Sequence, residues 1–179
     1  MKTNVALIGF MGSGKTAVGV SLARHLEYKY ISTDAFIETN YGFDIPYIFS
    51  HEGEIRFREL EIQAIKRLSR EENAVIDCGG GVPLNTINID RLKEKAVIVY
   101  LSAAAEKIIE RLSDKPGVRP MLTGRDGEGI KRLMARREPF YQVAADERVD
   151  NTGLDVEATV HMVIALMKKH EDFSFKKQP

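Results

Sequence analysis

Residues 9–16 read Gly9-Phe10-Met11-Gly12-Ser13-Gly14-Lys15-Thr16 and follow the apolar run Val5-Ala6-Leu7-Ile8. This is a complete G-x-x-x-x-G-K-[ST] pattern, set between a strand-like segment and Ala17 to Leu26, which carries Val18, Leu22 and Leu26 at helical spacing. Glycines let the backbone curl until successive N–H groups face phosphate oxygens. The lysine reaches the outer phosphates, and the threonine hydroxyl suits Mg²⁺. A glycine-rich turn that matched by chance would leave the lysine unexplained. Gly12, Ser13, Gly14, Lys15, Thr16 and Ala17 are therefore candidate nucleotide-binding residues, and the ligand class is a polyphosphate.

Outward from this loop, short β-rich runs alternate with longer helical patterns, which predicts an α/β domain built on a parallel sheet. Strands are expected at Asn4–Gly9, Tyr28–Ser32, Ala74–Cys78, Ala96–Leu101 and Glu147–Val149. Helices are expected at Lys15–Glu27, Ala35–Tyr41, Ile45–His51, Glu54–Ser69, Asn88–Glu94, Ala104–Ser113, Glu128–Ala145 and Asp155–His170. Pro139 should interrupt or bend the seventh helix, and Asp155 should cap the eighth. Asp114 to Gly129, rich in glycine, proline and charge, reads as a mobile loop. Residues 171–179 read as a flexible, frayed tail.

With 179 residues, the chain has room for one domain, assigned to residues 1–170. Hydrophobic residues make up 44% and charged residues 29%, and 26 acidic residues balance 26 basic ones. That balance argues against a nucleic-acid or anionic-membrane partner. No apolar stretch reaches membrane-spanning length and no basic-then-apolar leader opens the chain, so a cytoplasmic protein is expected. The single cysteine, Cys78, excludes an internal disulfide framework and reads as a small buried side chain.

The phosphate loop alone admits kinases, ATPases and GTPases. No N-K-x-D guanine-reading tetrapeptide accompanies it, and a small phosphotransferase fits the length best. Asp34 follows the second strand at the carboxyl edge where α/β sheets bind ligands. It reads equally as a ligand for a substrate alcohol or as a helix cap. Arg58 is spaced for helical pairs with Glu54 and Glu61, yet it is also a planar donor able to clamp a carboxylate. Gly79-Gly80-Gly81 strips side chains from the end of the third strand, and leaves N–H groups for an oxygen-rich ligand. Arg119 and Arg137 complete a scattered cationic set of the kind phosphoryl transfer requires.

These motifs, in this order, resemble the shikimate kinase family over nearly the whole chain, from Asn4 to about Leu166. The resemblance rests on the phosphate loop, Asp34, Ile37-Glu38, Ile48-Phe49, Glu52-Gly53-Glu54, Phe57-Arg58, Gly79-Gly80-Gly81, Arg111, Arg119-Pro120-Met121-Leu122 and Arg137-x-Pro139-x-Tyr141. It implies a three-layer αβα P-loop kinase fold with a five-stranded parallel sheet in order 2-3-1-4-5. It also implies a substrate-binding helical segment over about 34–60 and a mobile lid over about 113–126. The implied activity is ATP-dependent phosphorylation of the 3-hydroxyl of shikimate, on the route to chorismate and aromatic amino acids; separately, a monomer is expected.

By the same resemblance Lys15, Asp34 and Arg119 are catalytic and Arg111 stacks near adenine. Arg58 and Arg137 hold the substrate carboxylate, with Gly80 and Gly81 as backbone contacts. The neighbouring alternatives are a gluconate-kinase-like enzyme and a nucleotide-binding regulatory relative with reduced turnover.

The chain departs from the family at one place. An Asp-x-Asp pair usually follows the second strand, and here it is Ser32-Thr33-Asp34, which removes a carboxylate implied to serve Mg²⁺. Asp77 stands two residues before the glycines and is expected to supply that carboxylate beside Thr16. The alternative for Asp77 is a carboxylate hydrogen-bonded to loop backbone.

Overall fold

A computed structural model describes residues 1–113 and 126–176. Its elements in chain order are β1 (Asn4–Ile8), α1 (Lys15–Leu26), β2 (Lys29–Ser32), α2 (Thr33–Tyr41), α3 (Ile45–His51), α4 (Gly53–Leu68), β3 (Ala74–Asp77), a 3₁₀ turn (Val82–Leu84), α5 (Thr86–Lys93), β4 (Ala96–Ser102), α6 (Ala105–Ser113), α7 (Gly127–Ala144), β5 (Glu147–Asp150) and α8 (Val156–Lys169). The sheet is parallel throughout, in the order β2-β3-β1-β4-β5.

β1, β3 and β4 are buried along their whole length, which is why their sequences are continuous apolar runs rather than alternating ones. Side chains alternate between two covered faces. Val5, Leu7, Val75, Val97 and Val99 pack with Val18 and Leu22 of α1 and Val160, Val163 and Met167 of α8. Ala6, Ile8, Ile76 and Ile98 meet Ile65, Leu92, Ile108 and Tyr141 from α4, α5, α6 and α7. A third cluster, Ile37, Ile48, Phe57, Leu60 and Ala64, gives α2, α3 and α4 a small core of their own beyond the sheet edge.

α7 runs unbroken through Pro139, so the expected interruption does not occur. Proline deletes one N–H, but Ile130, Leu133, Arg137, Tyr141 and Ala144 form one buried stripe at spacings of three and four across it. Burial of that stripe outweighs the lost bond.

The tail expected to fray from residue 171 is docked as far as Lys176. Phe173 is buried in the α1–α8 layer, Lys2 N–H donates to the Asp172 carbonyl at 2.7 Å, and Ser174 N–H to the Lys2 carbonyl at 2.9 Å. Lys176 N–H donates to the Tyr28 hydroxyl at 3.0 Å. Two phenylalanines in a short basic segment were the apolar anchor that charge concealed. Residues 177–179, Arg119, and nearly all of the expected lid lie outside the described residues.

Candidate active site

The carboxyl ends of the strands open into one cavity of about 820 Å³, reaching from Phe49 and Arg58 at one end to Arg111 and Leu154 at the other. Gly12, Gly14, Lys15, Thr16, Ala17, Asp34, Asp77, Gly80, Gly81 and Arg137 also line it.

At the donor end, α1 starts at Lys15 without a side-chain cap and without an acidic residue in its first turn. Its N-terminal amides and positive dipole end are left for an anion. Gly14 adopts φ 93°, a left-handed turn that aims those amides inward and that a side chain would oppose. Lys15 Nζ donates to the Gly9 and Phe10 carbonyls at 2.9 and 3.1 Å. Ser13 is buried behind the loop, its N–H donating to the Phe10 carbonyl at 3.1 Å.

Asn151, the residue following β5, donates to the Ser13 carbonyl at 2.8 Å. Arg111 Nη1 reaches the Gly12 and Ser13 carbonyls at 3.4 Å and Asn151 Oδ1 at 3.3 Å. Arg111 thus braces the loop from α6 while lining the cavity. Asn151 was missed in the sequence, although residues just beyond a strand's carboxyl end are where this sheet gathers its polar groups.

Thr16 Oγ1 donates to Asp77 Oδ2 at 2.7 Å, and the Tyr30 hydroxyl donates to the same oxygen at 2.9 Å. Burial, then the Asp77 charge, raises the Tyr30 phenol well above its ordinary value, so it stays a donor. Among the described residues, Asp77 therefore bonds side chains rather than loop backbone. Ser32 sits directly across the ladder from Asp77, but its hydroxyl accepts the Ala35 N–H at 3.2 Å as the cap of α2. That relieves Asp34 of the capping role and leaves it in the first turn, facing the cavity.

At the acceptor end the glycines have a packing purpose the sequence did not disclose. A Cβ on Gly79 would lie 2.4 Å from Asp34 Oδ1, and one on Gly81 would lie 1.9 Å from Arg58 Nη1. The two functional side chains occupy the space that methyl groups would need. Gly79 is not available to a ligand, since its N–H donates to Thr33 Oγ1 at 2.7 Å. Gly80 and Gly81 N–H groups have no acceptor among the described residues. The Gly80 carbonyl accepts the Tyr141 hydroxyl at 2.7 Å, and burial pushes that phenol up to about 12.

Asp34 Oδ1 is buried with no hydrogen-bond donor among the described residues. Burial raises its pKa, Lys15 and Arg58 oppose the rise, and Asp77 and Glu38 add to it. Arg58 makes the helical pairs expected of it: Nη2 to Glu54 Oε1 at 2.9 Å, and Nη1 to both Glu61 oxygens at 3.0 and 3.1 Å. These pairs do not compete with cavity lining; they aim the guanidinium. Arg137 is 5% exposed and its guanidinium lies 5.9 Å from the centre of the Phe10 ring.

Glu61, whose place in the sequence suggested only a helical pair, is 1% exposed and lies between Arg58 and Asp34. Burial pushes its pKa up to about 7 from 4.5, against the pull of Arg58 and Arg137. The folded chain thus binds this proton more tightly than the unfolded chain. Its stabilising contribution is complete below about 4.5 and is lost as pH rises through about 7. The melting temperature of Glu61→Gln should therefore fall less between pH 5.5 and 8 than that of the parent, by calorimetry at matched ionic strength. Parallel curves would show that Glu61 does not titrate in this range.

Comparison with known proteins adds an independent line. The shikimate kinase family model matches residues 11–168. A shikimate kinase of Pelotomaculum thermopropionicum is 42% identical over 168 residues, covering 93% of this chain and 96% of that protein. One from Moorella thermoacetica is 39% identical over 170 residues, covering 94% and 96%. Among solved structures, shikimate kinase from Acinetobacter baumannii in complex with shikimate superposes with a TM-score of 0.89 at 29% identity, covering 96% of each chain. A gluconokinase from Sinorhizobium meliloti, at 18% identity and a TM-score of 0.59 over 91% of this chain and 90% of that one, shares the fold alone.

Proposed function

The chain belongs to the shikimate kinase family, and from that premise we propose that its cavity carries MgATP against the phosphate loop and shikimate against Asp34, Arg58 and Arg137. The protein is an ATP-dependent phosphotransferase acting on the 3-hydroxyl of shikimate, a step of aromatic amino acid biosynthesis. The observation that carries the reading of the site is the facing of its two halves. An uncapped helix start with Lys15 lies at one end of the cavity, and a buried carboxylate with two arginines lies at the other.

A carboxylated alcohol suits the second half. Arg58 and Arg137 take the carboxylate, Gly80 and Gly81 N–H groups offer donors to its oxygens, and Asp34 Oδ1 accepts from a hydroxyl and aims its oxygen at the donor end. Lys15 neutralises charge on the outer phosphates. In a loose transition state most of the rate comes from this positioning and charge neutralisation rather than from a base. Arg119 is assigned by family resemblance to the transferring phosphate, and Arg111 to the adenine.

Mg²⁺ fits the donor half: Thr16 hydroxyl and Asp77 carboxylate are hard oxygen donors already in contact beside the loop. When bound, the ion neutralises charge on the β- and γ-phosphate oxygens. Thr16 would hold it, with Asp77 behind through the hydroxyl. No helix among the described residues is long and apolar enough to cross a membrane. The zero formal net charge gives no broad basic surface for a nucleic acid, and the reading is completed by a monomer in the cytoplasm.

A coupled assay of ATP consumption with shikimate, gluconate and nucleoside monophosphates tests the assignment. Turnover is expected with shikimate and at background level with the others. Preference for gluconate would favour the neighbouring sugar-acid reading, and ATP binding without turnover on any acceptor the regulatory one.

A further inference from the structure

Away from the cavity, α1 and α8 each present an i, i+4 pair to the other: Ser21 with His25, and Glu157 with His161. One ligand atom from each of His25, Glu157 and His161 lies within 4.8 Å of the other two. His25 Nε2 is 3.4 Å from Glu157 Oε2, and the two imidazole centroids are 5.9 Å apart at 86°.

The surrounding bonds orient this set. His25 Nδ1 lies 2.9 Å from the Ser21 carbonyl oxygen. A carbonyl only accepts, so that nitrogen carries the proton. In the neutral ring Nε2 is then a bare lone pair, and it faces a carboxylate oxygen. Glu157 is fixed as well, its Oε1 accepting the Ser21 hydroxyl at 2.6 Å. With His25 neutral, the imidazole lone pair and the Glu157 oxygen, 3.4 Å apart, are two donors that a metal ion can share; with His25 protonated the same pair is an ion pair. An imidazole whose far nitrogen is tied to a backbone carbonyl, beside a carboxylate that is itself hydrogen-bonded, is the outer arrangement that metal ligands use.

The spacing selects the ion. Tetrahedral zinc with bonds of about 2.0–2.2 Å sets neighbouring ligand atoms about 3.3–3.5 Å apart, and the His25–Glu157 separation falls in that interval. His161, exposed one turn beyond Glu157 on α8, supplies the third ligand atom within 4.8 Å. Two imidazoles and one carboxylate suit Zn²⁺, with a water in the fourth position. They do not suit Mg²⁺, which takes oxygen ligands.

We propose that His25, Glu157 and His161 form a binding site for a divalent transition-metal ion of the Zn²⁺ class, clipping α1 to α8. The site is separate from the nucleotide. α1 carries the phosphate loop at its far end, and α8 lines the cavity through Val156 and Thr159, so the ion ties together the two helices that flank the donor half.

The test uses the full chain without an affinity tag, stripped by chelator and titrated calorimetrically with ZnCl₂ in saturating Mg²⁺. One equivalent should bind per chain and raise the melting temperature. Co²⁺ in place of Zn²⁺ should give the visible absorption of a four-coordinate ion. His25→Ala and His161→Ala should abolish both signals, and Ser21→Ala should weaken Zn²⁺ binding by about tenfold through its outer bond to Glu157. Shikimate-dependent turnover in Mg²⁺ alone should be unchanged in His161→Ala. Absence of Zn²⁺ uptake would leave the His25–Glu157 pair a protonated ion pair and overturn the proposal. So would uptake that persists in the His25→Ala/His161→Ala double variant, which would place the ion elsewhere.

Discussion

Asparagine in place of Asp34 is expected to lower kcat on shikimate by about 10²-fold, the cost of a misplaced acceptor, while the melting temperature holds or rises. The two effects separate because of how the residue is built in. Ser32, not Asp34, caps α2, so the helix start is untouched. The amide is nearly the same size as the carboxylate and meets the same Gly79 surface. What disappears is the charge that burial disfavours and the acceptor that orients a hydroxyl. Removing a group whose charged form burial disfavours relieves the fold, and the relief grows as pH rises and the acid ionises. Steady-state kinetics with parallel calorimetry would decide it. Turnover within about threefold of the parent would remove Asp34 from the reaction, and a lower melting temperature would give it a structural role instead.

The second large effect is expected at Asp77. Asp77→Ala should raise the Mg²⁺ concentration needed for half-maximal turnover by about 10–100-fold, the usual cost of losing a group that orients a metal ligand, with activity recovering as Mg²⁺ is raised. The Thr16 hydroxyl now points its proton at Asp77 Oδ2, which turns its lone pairs toward the loop. Without the carboxylate that direction is lost, and so is a negative charge near the ion. Tyr30 loses its partner too, so Tyr30→Phe serves as the control: it removes the hydroxyl but keeps the charge, and should leave the Mg²⁺ dependence near that of the parent. Near-parental activity of Asp77→Ala at limiting Mg²⁺ would sink the assignment.

Much of this architecture could be read from the residues themselves. The buried strands declared themselves because β1, β3 and β4 are covered on both faces and have no room for polar side chains. The phosphate loop was legible because its chemistry is local, carried by eight consecutive residues. Long-range features were harder. The glycine triplet looked like backbone cleared for a ligand. Yet Gly79 and Gly81 are cleared for Asp34 and Arg58, which arrive from α2 and α4, a pairing no local window contains. Glu61 looked like a surface ion-pair partner because helical spacing reports neighbours but not burial. The expected interruption at Pro139 failed for the opposite reason. The local rule for proline is sound, but the buried stripe on either side of it decides the helix. The tail was judged by its lysines, whereas Phe173 and the bond from Lys176 to Tyr28 decide its place.

The ledge formed by Gly79 and Gly81 also limits how this enzyme can evolve. Its two vacant Cβ positions are already filled by the acid and the guanidinium that face the acceptor, so even alanine there displaces a functional group instead of trimming the pocket. Drift toward a new acceptor is closed off from the sheet side. It has to begin on α2, α3 and α4, whose separate small core lets their outer positions change without unsettling the strands beneath.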